Sequence, residues 1–165
     1  MSRHRGVMLL ELLAASLAST VVGGVIFLLM VGARDVWRTK ITFNELSSSL
    51  DVAAEVLRKD IWGATGAATG VIGVCPASAP SWLTLTGATT ITYCLDTSTP
   101  TNVKLRRVPA TGAAWNVAQY ILTGADTSID LTNQPLIRIK LKVQKTVSGR
   151  QYPRQMTVFY RRQLP

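Results

Sequence analysis

MSRHRGVMLLELLAASLASTVVGGVIFLLMVGARDVWR, Met1 to Arg38, sets a short basic start before a long apolar run. Between Val7 and Ala33 the only ionisable residue is Glu11. An ordinary secretory signal would explain Arg3 and Arg5, and Val31-Gly32-Ala33 has the small residues of a cleavage site. The apolar run, however, far exceeds the usual length of about 7–15 residues. A plain membrane anchor fits the length better, since a span needs about 20 apolar residues. Arg3 and Arg5 would then hold the N-terminus in the cytoplasm. Both readings leave Glu11 without a purpose. A carboxylate costs about 2.5–3.5 kcal/mol at mid-span, less near the interface, so it calls for a partner and a role.

A third reading accounts for Glu11. The leader ends Arg5-Gly6, and a chain cut after Gly6 would begin Val7-Met8-Leu9-Leu10-Glu11. This resembles the prepilin leader of type IV pilins and type II secretion pseudopilins, with its basic start, terminal Gly, apolar run and Glu fifth after the cut. Phe or Met is commoner than Val at the first mature position in that family. The resemblance implies that a prepilin peptidase requires Gly6, and that the new amine of Val7 is methylated. It also implies that Glu11 pairs with the N-terminal amine of a neighbouring subunit. Pairing would remove the penalty on a lone buried charge and so favour one axial register. Major pilins usually carry a Pro in the membrane half of the helix. None occurs between Val7 and Ile61, where Gly23-Gly24 offers a softer or more closely packed stretch instead, which points to a minor subunit.

Charged residues appear after Ala33, yet the helical pattern persists. Phe43, Leu46, Leu50, Ala53, Leu57 and Ile61 recur at steps of three and four, marking one helical face. Glu55 and Lys59 are spaced for an i,i+4 pair, and Gly63 is a plausible stop. A helix from Val7 to Trp62 would be roughly 84 Å long at 1.5 Å per residue. Its apolar half needs lipid or other helices, and its amphipathic half needs a sheet.

From Gly63 the texture changes to Gly, Ala, Thr, Ser and Pro with short β-like runs. Residues 63–73 read as a loop. Strands are expected at 82–86, 90–95, 103–108, 116–122, 136–145 and 156–160, with Asp96 to Asn102 as a turn. Ile137, Ile139, Leu141 and Val143 alternate with Arg138, Lys140 and Lys142. The expected fold is α+β: a long N-terminal helix packed on one antiparallel β-sheet head. The organisation is a leader at 1–6, an apolar helix half at 7–33, an amphipathic half at 34–62 and the head at 63–165. Asp96, Asp126 and Asp130 sit in turn-like contexts, where a carboxylate usually bonds nearby backbone.

Cys75 and Cys94 are the two cysteines. Their even number and the exported-looking start favour one structural disulfide, against two free buried thiols. The head also resembles PilW-type minor pilins and J-type minor pseudopilins. Those share an Ile-x-Tyr strand, a turn and a Leu-x-Arg strand, here within ITYCLDTSTPTNVKLRRV (Ile91 to Val108), and a helix end like LRKDIWGATG.

The formal charge is +9, and eight basic residues follow Leu131 with no acid among them. A solvated strand face explains this most simply. An acidic partner such as DNA is the sharper alternative, through Arg138, Lys140, Lys142, Arg154, Arg161 and Arg162 with Tyr152, Phe159 and Tyr160 nearby. No catalytic motif or metal-ligand spacing occurs, and the single histidine is His4. The resemblance therefore implies a non-enzymatic subunit without cofactor or metal. It would start in the inner membrane, head in the periplasm, and pass to a pilus or pseudopilus, with the cell surface as a further destination. Its partners would be prepilin peptidase, other minor pilins or pseudopilins, the major pilin and the inner-membrane assembly platform. The alternatives are a pilus-tip module that binds DNA or surfaces, or an unrelated secreted or bitopic β-domain.

Overall fold

The computed structural model describes residues 3–71, 75, 81–133 and 135–161, with side chains from Met8 onward. One helix, α1 (Arg3–Trp62), precedes eight strands. The chain divides into two compact units, Met1–Ile41 and Thr42–Pro165, and α1 contributes to both.

In the first unit, from Met8 to Ala33, the helix carries no charged side chain but Glu11. Among the described residues, Met8–Trp62 is the one helix long and apolar enough to cross a membrane, and its most apolar window is wholly unburied. Hydroxyls within it bond back to the helix: Ser16 Oγ donates to the Leu13 carbonyl and Thr20 Oγ1 to the Ser16 carbonyl. Such bonds let small polar residues sit in an apolar helix without an outside partner.

In the second unit the helix turns amphipathic, and its stripe is covered. Leu46, Leu50, Ala53, Leu57 and Ile61 are buried, while Phe43 lies at the margin edge-on to Tyr152, ring centroids 5.5 Å apart. The expected Glu55–Lys59 pair is not the one formed. Glu55 instead takes a bidentate bond from Arg58 one turn on, whose planar fork matches a carboxylate better than an ammonium does.

The strands are β1 (Ala64–Ala68), β2 (Leu83–Gly87), β3 (Ile91–Asp96), β4 (Lys104–Pro109), β5 (Trp115–Ala118), β6 (Ser128–Asp130), β7 (Leu136–Val147) and β8 (Arg150–Arg161). They form two antiparallel sheets rather than the single expected sheet: β1-β2-β3-β4-β5 and β6-β7-β8. Residues 119–122 leave the first sheet at a bend, so the expected strand 116–122 is broken. Ile121 then bridges to Val143 of β7. The inner faces of both sheets share one core with the helix stripe, built on Leu83, Leu85, Tyr93, Leu105, Ile137, Ile139, Leu141 and Val143.

Two further expectations are corrected. Residues 64–68 form a strand inside the expected loop, because pairing with β2 supplies what Ala and Gly lack in propensity. Ile72 and Gly73 of that loop lie outside the described residues. Strand β8 begins at Arg150, not at 156. A two-residue turn, Ser148 (φ 52) and Gly149 (φ 77), sets β7 and β8 in unbroken register from Val147↔Arg150 to Leu136↔Arg161. Gly87 marks a close approach, since a Cβ there would meet the Gly63 carbonyl oxygen at 2.7 Å.

Candidate functional site

Three groups of residues carry the chain's distinctive chemistry. The first lies at the helix start. Gly6 and Val7 are helical in backbone, and their side chains are outside the described residues. Glu11 is exposed among Met8, Leu9, Leu10, Leu12 and Leu13, which are all exposed themselves. Residues four apart share a helix face, so a chain opening at Val7 would carry its amine one turn from Glu11.

The second group joins the helix end to the hairpin. The Asp60 carboxylate accepts two bonds from Arg107, at 2.6 and 3.1 Å, and one from the Tyr93 hydroxyl at 2.5 Å. Asp60 is almost enclosed, with its side chain 8% exposed, and Tyr93 is fully buried. Burial, then the bond to Asp60, pushes the Tyr93 hydroxyl well above its ordinary pKa. The bond to Asp60 likewise raises Arg107. Asp60 belongs to the helix-end motif, Tyr93 to the Ile-x-Tyr strand and Arg107 to the Leu-x-Arg strand. The three fragments that carry the head's resemblance therefore meet at one carboxylate. Beside Tyr93, Cys94 is bonded to Cys75 with Cα atoms 5.6 Å apart, so the expected disulfide is formed.

The third group is the basic C-terminal hairpin, which the strand register divides between two faces. Arg138, Lys140 and Lys142 line the outer face of β7, opposite the buried Ile137, Ile139, Leu141 and Val143. Arg138 lies over the Phe159 ring at 5.7 Å, and Lys142 pairs with Asp126 at 3.2 Å. Arg154 faces the other way, because it is opposite Val143, and it stacks on Phe43 at 4.6 Å. Arg161 is exposed at the end of β8, and Arg162 lies outside the described residues. Asp96 and Asp130 do accept nearby backbone amides, from Ser98 and Thr132. The hydroxyls of Ser98 and Thr132, and then those amides, lower both carboxyls. Asp126 takes Lys142 instead.

Tyr160 of β8 donates its hydroxyl to the Ala54 carbonyl at 2.7 Å, and burial pushes its pKa from 10.0 to about 12. The folded state thus favours the neutral phenol, so this stabilisation is complete below pH 10 and is lost as pH rises toward 12. The melting temperature of the head should therefore fall across that window. Tyr160→Phe should make the fall shallower, as followed by circular dichroism.

A cleft of about 240 Å³ between the helix and β5 contains Glu45, Ser48, Ser49, Asn116 and Gln119. Its one carboxylate, Glu45, is held by Lys145 at 2.6 Å. Among the described residues no cluster of three His, Cys, Asp or Glu side chains could hold a metal. No family model matches the chain, and neither a curated protein nor a solved structure gives a significant match.

Proposed function

We propose that this chain is a minor pilin or minor pseudopilin, a non-enzymatic subunit that helps initiate or cap a type IV pilus or type II secretion pseudopilus. The observation that carries the reading is Glu11. It is the one ionisable residue in the apolar stretch from Val7 to Ala33, and it sits one turn after the Gly6/Val7 junction. A lone carboxylate there raises the cost of staying in lipid, and a neighbouring subunit's amine at Val7 relieves it. In this account prepilin peptidase removes residues 1–6 and the Val7 amine is methylated. The head waits on the periplasmic side until the inner-membrane platform passes the subunit to other minor subunits and the major pilin.

Intact mass and N-terminal sequencing of protein recovered from cell membranes test the reading. A chain beginning at methylated Val7 supports it. A chain beginning at Met1 or Arg34 removes it in favour of a bitopic or secreted β-domain. Glu11→Val should leave membrane yield and head stability unchanged. Its share of the filament fraction should drop by more than about tenfold, as loss of an ion pair within lipid implies.

A tip module for DNA is a second reading, favoured by the row of Arg138, Lys140 and Lys142 on the outer face of β7. It draws on those residues and Arg161, not on Arg154, which is turned onto Phe43. DNA binding through that row would weaken steeply as salt rises.

A further inference from the structure

Among the described residues strand β8 is paired on one side only, and its register shows which backbone groups point away from that pairing. Leu122 donates to the Lys142 carbonyl at 2.9 Å, and Gln144 donates to the Tyr120 carbonyl at 2.8 Å. Lys142 and Gln144 therefore spend their backbone groups away from β8. Alternation along the strand then aims Leu141 and Val143 at β8, and their partners Met156 and Arg154 back at β7. Gln155, Thr157, Phe159 and Arg161 consequently point their amides and carbonyls at the outer edge. Pro153 falls in the same outward set, where a residue without N–H costs no ladder bond. Among the described residues no further strand pairs with this edge.

The open stretch coincides with exposed anchors. Trp62 and Phe159 are 58% and 59% exposed. A cleft of about 220 Å³ lies among Arg58, Trp62, Phe159, Tyr160 and Arg161. A second, of about 120 Å³, lies on the outer face among Asp130, Leu136, Arg138 and Phe159. Aromatic residues and arginine are the side chains that most often dominate protein interfaces.

The occupant follows from the edge chemistry and the charge. Alternating free amides and carbonyls complement another polypeptide, whereas outward carbonyls repel a phosphate backbone. A second copy of β8 would bring Arg150, Arg154 and Arg161 and no acid, adding only positive charge. Arg161 is exposed at the end of β8 and enters no ion pair among the described residues, which lets it meet an incoming acid.

We propose that the Gln155–Arg161 edge of β8 accepts an extended segment of a partner protein by strand addition. The segment alternates apolar and acidic residues. Its apolar side chains seat against Trp62 and Tyr160, and its acids meet Arg161 and Arg138. Main-chain bonds supply affinity, and the flanking clefts supply selectivity. This inference stands whether or not the chain is a pilin.

The test uses the full chain in detergent micelles and a labelled, capped peptide alternating glutamate with valine, followed by fluorescence anisotropy. Saturable binding is expected. N-methylation of alternate peptide amides, which leaves charge intact and alters no protein residue, should weaken it at least about tenfold. Thr157→Pro removes an outward amide without touching the β7 ladder and should weaken it similarly. An intact Cys75–Cys94 bond and an unchanged circular dichroism spectrum would verify its fold. Arg161→Glu should reverse the preference toward a lysine–valine peptide. No saturable binding, equal binding of the N-methylated peptide, or full displacement by single-stranded DNA would overturn the proposal.

Discussion

Replacing Asp60 with alanine should destabilise the head by about 3 kcal/mol, the lower end of the cost of breaking a buried ion pair. Two groups lose their acceptor together. The Arg107 guanidinium is left with its side chain only 20% exposed, and the Tyr93 hydroxyl is left inside the core. An unpaired buried donor adds its own desolvation penalty. Asp60→Asn should cost less, because an amide oxygen still accepts one bond. Chemical denaturation of the full chain in micelles checks both, and a double-mutant cycle with Arg107→Met isolates the pair. A cost for Asp60→Ala below about 1 kcal/mol, the size of one ordinary hydrogen bond, would show that the triad does not hold the helix end to the hairpin.

Removing the Cys75–Cys94 bond should have an effect of similar size. The cysteines are separated by 19 residues in sequence, and cross-linking a loop of about that length contributes about 3 kcal/mol in the chain-entropy model. Cys94 is almost wholly buried in β3, so Cys94→Ala alone also loses core packing. The paired replacement of both residues by alanine is the cleaner comparison. Its denaturation midpoint should match that of the native chain under reductant. If oxidised and reduced protein unfold at the same midpoint, the bond restrains nothing. Cys94 adjoins Tyr93, so the disulfide and Asp60 changes should combine non-additively.

The helix and much of the head were legible in the sequence because their signals are local. Steps of three and four from Leu46 to Ile61 announce a buried helical face, and strict alternation from Ile137 to Val143 announces a half-buried strand. Turn residues around Asp96 to Asn102 announce the β3–β4 hairpin. Where local signal is weak, tertiary pairing decides. Ala64–Ala68 has almost no β-forming side chains and becomes a strand only against β2. The polar start of β8, with Pro153 inside it, looks unlike a strand until β7 lies beside it. Ser128–Asp130 is too short to show a period.

The candidate site was legible to a different degree. Gly6, Val7 and Glu11 are contiguous enough to be read from spacing. The Asp60 triad is not, since its bonds cross 33 and 47 residues and neither motif predicts the other's position. The split of the basic segment over two faces was hidden as well. It follows from Arg154 lying opposite Val143, which only the hairpin register fixes.

The helix stripe and its cover are also far apart along the chain. Glu45 meets Lys145 across 100 residues, and Ala54 meets Tyr160 across 106. At a synthesis rate of about 5–20 residues per second, Leu46, Leu50 and Leu57 emerge roughly 5–20 seconds before β7 and β8 exist to cover them. During that interval the nascent chain presents a greasy, uncovered ridge. The order of its parts leaves that ridge unshielded until translation of the chain is almost complete.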